Sequence, residues 1–148
     1  MLKAPPPLWA LALLAIGYFA SELPLFAGLP SVRSPIVGAL LMIGGAALPA
    51  VAIRQFRAAD TQVMPTSETN NRLIVTGLYR LTRNPMYVGV IVASLGAALW
   101  FGRPLMLAAP TGVFLIANWV LIPFEEAKMR RQFGAEYDAY VARVRRWI

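Results

Sequence analysis

RNPMYVGVIVASLGAALWFGRPLMLAAPTGVFLIANWVLIPFEE, residues 83 to 126, holds two apolar runs that meet at a short connection and carry polar residues at both outer ends. The runs, 85–101 and 104–124, are each near the ~20 residues a helix needs to cross a bilayer. The first is slightly short and would sit with little tilt. If the first enters from one face and the second returns to it, Arg83-Asn84 and Glu125-Glu126 lie at the same depth. The short connection at 101–104 makes the two helices neighbours.

Two further apolar stretches precede this pair, at roughly 8–27 and 35–53. The 148 residues are 58% hydrophobic and 14% charged, with mean hydropathy +0.59. A soluble domain of this length has too much surface to hide that much apolar side chain. The expected fold is all-α: one polytopic membrane domain over 1–148 with four transmembrane helices. A connection at 54–84 and a tail at 125–148, with a C-terminal amphipathic helix, complete it. Lys and Arg divide unequally. Arg33 and Arg103 fall in the first and third connections, and the other twelve fall at the N-terminus, in 54–84 and in the tail. By the positive-inside rule both termini and the long connection face the cytoplasm, in a multi-pass protein of a bacterial inner membrane. The excess of 14 Lys+Arg over 7 Asp+Glu thus reports topology and contact with anionic lipid, not nucleic acid. The first stretch has only Lys3 in its n-region, Pro5-Pro6-Pro7 interrupts the approach and no clean A-x-A site follows, so it reads as a retained span rather than a cleaved signal peptide. There is no Cys and no His, so disulfides and the commonest metal ligands are absent, and no metal site is expected.

Small residues recur at helical spacing: Gly89, Ala93 and Ala97 in the third span, and Gly44 or Gly45 in the second. Close helix packing is their plain reading. Asn84 suits an N-cap and Pro85 the first helical turn, so Asn-Pro starts the third span at the cytoplasmic interface. That helix start, beside Arg80 and Arg83, can hold a carboxylate or phosphate; alternatively both Arg side chains snorkel to head groups. Glu125 and Glu126 sit against the dipole at the end of the fourth span and call for compensation by Arg80, Arg83, Lys128, Arg130 or a cation. In the tail, Met129, Phe133, Tyr137, Tyr140, Val141 and Val144 recur three or four apart, with a break at Gly134. A helix on the membrane surface, held by Arg residues and Trp147, also accounts for that pattern.

Gly77-Leu78-Tyr79-Arg80, then Arg83-Asn84-Pro85-Met86-Tyr87-Val88-Gly89, then Glu125-Glu126 and Phe133-Gly134-Ala135-Glu136-Tyr137 with Tyr140 resemble the signature of the isoprenylcysteine carboxyl methyltransferase and phospholipid methyltransferase family. The match covers roughly residues 60 to 148. The resemblance implies an integral-membrane methyltransferase using S-adenosyl-L-methionine without a Rossmann domain, and no G-x-G-x-x-G stands here. It implies a cofactor site drawn from Tyr79, Arg83, Asn84, Tyr87, Gly89, Glu125 and Glu126. Arg83, Asn84 and Tyr87 would hold the methionine end, and Glu125 with Glu126 the ribose hydroxyls or the amino group. Many relatives have His where this chain has Asn84, and an amide cannot act as a base near neutral pH.

Methyl transfer from a sulfonium needs alignment and exclusion of water more than acid–base catalysis. The acceptor implied is a lipophilic small molecule or an isoprenylcysteine-like group, methylated at a carboxylate, thiol or amine and arriving from membrane lipid. If it bears a carboxylate, Arg143, Arg145 or Arg146 would orient it; Glu125, Arg143 and Arg146 are the candidate catalytic residues. The alternative is a small four-span transporter with Glu22 as its coupling carboxylate. Glu22 lies near the non-cytoplasmic boundary, however, whereas a coupling site belongs nearer the midplane.

Overall fold

The computed structural model describes residues 5–59 and 72–148, and every regular element among them is helical. Residues 60–71 of the 54–84 connection thus lie outside the described residues, as does Lys3. Helix α1 covers Pro6–Ala20, α2 Pro35–Ala58 and α3 Pro85–Phe101. A 3-10 turn at Pro104–Leu107 leads into α4 (Ala108–Ile116), a π-helical turn at Ala117–Leu121 and α5 (Ile122–Phe133). Pro104–Phe133 is therefore one helical rod of 30 residues. Gly134, at φ +49°, breaks the rod, and α6 (Ala135–Arg143) follows. A proline stands in the first turn of α1, α2 and α3, where its missing N–H costs nothing.

The boundaries differ from expectation in three places. The first span was expected over 8–27, but α1 ends at Ala20. There Ser21 Oγ donates to Gly17 O at 2.8 Å, and a separate 3-10 turn begins at Pro24. The second span, expected over 35–53, continues as α2 to Ala58, because nothing between Ile53 and Ala58 breaks a helix. The fourth, expected over 104–124, runs on through Glu125 and Glu126 without interruption. Two helices, Pro35–Ala58 and Pro104–Phe133, are long and apolar enough to cross a membrane. α1 and α3 are apolar but shorter, and the 17 residues of α3 rise about 26 Å.

The distribution of side-chain size marks a membrane protein. Leu11, Ile16, Phe19, Ile36, Leu40 and Ile43 point outward, while Ala10, Gly17, Gly38, Gly45, Ala52 and Ala98 are buried. Water would reverse that arrangement; lipid rewards it, because small residues let helix backbones approach. The closest seam joins α2 to α3. A Cβ on Gly38 would lie 2.7 Å from Trp100 N and 2.8 Å from Gly96 O, and Gly45 opposes Gly89 and Ala93 in the same way. Gly44 faces open space, so the α2 seam runs through Gly45. Pro49 cannot donate to Gly45 O, and that freed carbonyl lies against Gly89.

α6 spends its apolar face on the protein itself. Tyr137 and Tyr140 pack with Ala52, Phe56 and Tyr79, the last on the 3-10 turn Gly77–Arg80. Burial pushes the Tyr140 hydroxyl well above the usual tyrosine range; it keeps its proton and donates to Tyr79 O at 2.7 Å. This aromatic cluster holds the turn that feeds α3.

Candidate active site

Asn84 occupies the N-cap position of α3, as expected, but its side chain does not cap the helix. The reason is tertiary. The chain end runs past the start of α3, and Arg146 O accepts from Asn84 Nδ2 at 3.0 Å and from Thr82 Oγ1 at 2.9 Å. Arg83 N–H donates to Arg145 O at 2.9 Å, and Asn84 N–H to Thr82 Oγ1 at 3.1 Å.

Glu126 is the centre of the charge cluster. Arg83 Nη2 donates to its Oε1 at 2.9 Å, while Arg146 brings Nη2 to Oε2 at 2.7 Å and Nε to Oε1 at 3.1 Å. Such a two-point guanidinium grip is directional as well as electrostatic. Arg83 Nη1 also donates to Val141 O at 3.3 Å, but Arg83 Nε is buried with no partner among the described residues. An unsatisfied buried N–H costs about 1–3 kcal/mol and calls for an acceptor.

The π-helical turn supplies the other end of the Arg146 site. Pro123 follows it, and its ring would clash with the carbonyl four residues back. Ile122 N–H therefore bonds Ala117 O, five residues back, instead of Asn118 O. The released Asn118 carbonyl and its side-chain Oδ1 both accept from Arg146 Nη1 at 3.4 Å. Asn118 Oδ1 takes Trp147 Nε1 as well, at 3.0 Å, and the Trp147 ring packs on Phe114 with centroids 5.0 Å apart. Trp147 is thus an internal anchor here.

Beside this cluster Tyr87 OH donates to Glu125 Oε1 at 2.7 Å. Tyr87 also lines an apolar crevice with Pro6, Trp9, Val113, Ile116 and Leu121. Trp9 Nε1, at the same crevice, is buried without a partner among the described residues. One phenol therefore joins a carboxylate to an apolar recess.

The structure brings Arg83, Asn84, Tyr87, Glu125, Glu126 and Arg146 together. It sets Gly89 against α2 and Tyr79 in the aromatic cluster. Arg143 is exposed, its Nε on Ala139 O at 3.1 Å, and Arg145 contributes its carbonyl. Arg130 pairs with Asp138, not with the Glu pair. At the far end of α3, Glu22 pairs with Arg103, whose guanidinium lies 5.2 Å above the Tyr18 ring. Sequence reasoning missed Thr82, Asn118 and the inward role of Trp147. Pro123, inside an apolar run, was the one available signal for Asn118.

Known proteins resemble the chain over the same region. The family described as Phospholipid methyltransferase matches residues 34–136. A probable protein-S-isoprenylcysteine O-methyltransferase of Oryza sativa subsp. indica is 32% identical over 109 residues, covering 73% of this chain and 57% of the rice protein. Protein-S-isoprenylcysteine O-methyltransferase A of Arabidopsis thaliana is 29% identical over 145 residues, covering 92% and 71%. The Saccharomyces cerevisiae protein-S-isoprenylcysteine O-methyltransferase is 28% identical over 114 residues, covering 74% and 46%. The chain thus spans little more than half the length of the rice relative. No solved structure matches it.

Proposed function

The chain belongs to the phospholipid methyltransferase family, and we propose on that premise that it is an S-adenosylmethionine-dependent membrane methyltransferase acting on a lipophilic acceptor. The observation that carries the reading is the joining, at the start of α3, of the Arg83–Glu126–Arg146 cluster and the Tyr87–Glu125 pair to an apolar crevice. The charged side suits a polar, zwitterionic cofactor; the apolar crevice beside it is closed, without room for a water molecule, so the tail of an amphiphile must part its walls to enter.

The residues fit the cofactor. Arg83, with its buried unpartnered Nε, offers a donor to a carboxylate. Glu125 offers a carboxylate to an ammonium group or a ribose diol, and the Tyr87 hydroxyl holds Glu125 in place. When bound, the cofactor supplies a methyl already activated by its sulfonium. The chain's work is then to orient, to exclude water and to bring the acceptor alongside. The apolar side chains of Trp9, Val113, Ile116 and Leu121, closed on one another, serve the exclusion of water. The relatives are named as O-methyltransferases; for an acceptor whose oxygen belongs to a carboxylate, Arg146 is the C-terminal guanidinium within the cluster, with Arg143 and Arg145 on the exposed side.

We also propose four spans, α1, α2, α3 and the Pro104–Phe133 rod, with both termini cytoplasmic. The unequal Lys and Arg distribution and the outward-facing Leu, Ile and Phe side chains support this. The Glu22–Arg103 pair gives no support to ion-coupled transport, since it sits at a helix end with its charge already matched.

Calorimetric titration of the detergent-purified protein with S-adenosylhomocysteine tests the reading. Saturable heat with one site per chain is expected. A folded sample that gives neither heat nor a thermal shift at millimolar ligand would overturn it.

A further inference from the structure

Arg145, Arg146 and Trp147 are held in a way that neither the helical pattern nor the family signature assigns. Val144 leaves α6 in an extended conformation, and the chain crosses the start of α3 as a strap. Three donors from Thr82, Arg83 and Asn84 hold its peptide carbonyls: one meets Arg145 O and two converge on Arg146 O. Thr82 and Asn84 are themselves buried, so these bonds are made away from bulk water. Beyond them the Arg146 side chain reaches Glu126 and the π-turn carbonyl of Asn118, and Trp147 reaches Asn118 Oδ1. The backbone of Arg146 is thereby fixed at one end and its guanidinium at the other.

We propose that Thr82 and Asn84 are positioning residues that clamp the C-terminal strap across the start of α3, and through it deliver the Arg146 guanidinium to Glu126. Asn84 then acts on the site indirectly, through the Arg146 carbonyl. This also accounts for an amide at that position: a side-chain N–H donor is what the strap carbonyl requires, and a base is not. Without the clamp, the strap keeps the Arg83 N–H bond to Arg145 O and its side-chain contacts, but the Arg146 carbonyl is released and its guanidinium must pay more entropy to find Glu126.

The step to ligand affinity rests on the methyltransferase reading, so the experiment has one arm that needs no ligand. In a spectrum of 15N-labelled indole groups, Thr82→Val and Asn84→Ala should speed solvent exchange of the Trp147 N–H, with Trp147→Phe identifying the resonance. Thr82→Ser, which keeps the hydroxyl, should restore the wild-type rate. Unchanged exchange in both Thr82→Val and Asn84→Ala overturns the clamp. In the second arm, Thr82→Val should weaken S-adenosylhomocysteine binding about three- to tenfold, the usual weight of one hydrogen bond, and have no further effect in an Arg146→Ala background. An effect that persists undiminished in that background shows that Thr82 does not act through Arg146, and overturns the proposal. If wild-type protein binds no ligand while the indole arm behaves as expected, the methyltransferase reading fails and the clamp stands.

Discussion

Arg146 grips Glu126 from twenty residues further along the chain, with Nη2 on Oε2 at 2.7 Å and Nε on Oε1 at 3.1 Å. The same carboxylate takes Arg83 Nη2 at 2.9 Å. Glu126 is 7% exposed, and a buried carboxylate costs desolvation energy that the two guanidinium groups offset. The cluster joins the start of α3, the interior of α5 and the chain end, so it organises the site as well as charging it.

Glu126→Gln should therefore damage the fold. It leaves two buried or half-buried Arg side chains facing a neutral partner, and breaking a buried pair costs on the order of 3–5 kcal/mol. A clear fall in Tm in detergent is expected, against no change for the exposed control Glu136→Gln. A wild-type Tm in Glu126→Gln would show that the cluster does not stabilise the protein.

Glu125→Gln should separate binding from stability. Its hydroxyl partner Tyr87 remains, and the Arg83–Glu126–Arg146 cluster is left intact. A charge-assisted contact to ligand contributes about 1.5–3 kcal/mol, so S-adenosylhomocysteine affinity should fall roughly ten- to a hundredfold with little change in Tm. Tyr87→Phe should lower affinity by less, because it releases Glu125 without removing it. Wild-type affinity in Glu125→Gln removes this carboxylate from the site.

The α2–α3 seam predicts a contrast between neighbouring glycines. Gly45→Ala pushes a methyl into α3 backbone, and such overpacking costs about 1–3 kcal/mol. Gly44→Ala meets open space and should be neutral or stabilise by about 0.5–1 kcal/mol, the difference between Gly and Ala within a helix. Equal Tm values for the two variants would mean that the helices do not approach through Gly45.

Glu22→Gln removes only the partly exposed partner of Arg103. Exposed pairs contribute about 0–1 kcal/mol, and the site lies at the other end of α3, so affinity for S-adenosylhomocysteine should be unchanged. Loss of binding in this variant alone would put the site at the wrong end of the helices.

Topology is checked by cysteine labelling, which the Cys-free chain makes clean. Cysteines at 33 and 103 should react with an impermeant reagent from one face of the membrane, and a cysteine at 143 from the other. Labelling of all three from one face would break the four-span arrangement.

The positions of α2 and α3, the hairpin between α3 and the Pro104–Phe133 rod, and the break at Gly134 were all legible along the chain. They depend on local quantities: apolar run length, proline at helix starts, glycine at a positive φ. So was the shared depth of Arg83 and the Glu pair, because two helices joined by a short turn must return to the same level; that Arg83 is a partner was one of several choices left open. The sequence alone left open which glycine faces α3, which carboxylate takes the guanidinium groups, and which of three C-terminal Arg residues enters the site. Those choices fell to Gly45, Glu126 and Arg146, and only tertiary structure made them. The physical reason is that each depends on a path the chain takes after its helices are formed: Pro123 widens one turn and frees the Asn118 carbonyl, and the extended strap after Arg143 lays Arg146 beside it. A hydrogen bond between residues 28 or 62 apart leaves no period in the sequence to read.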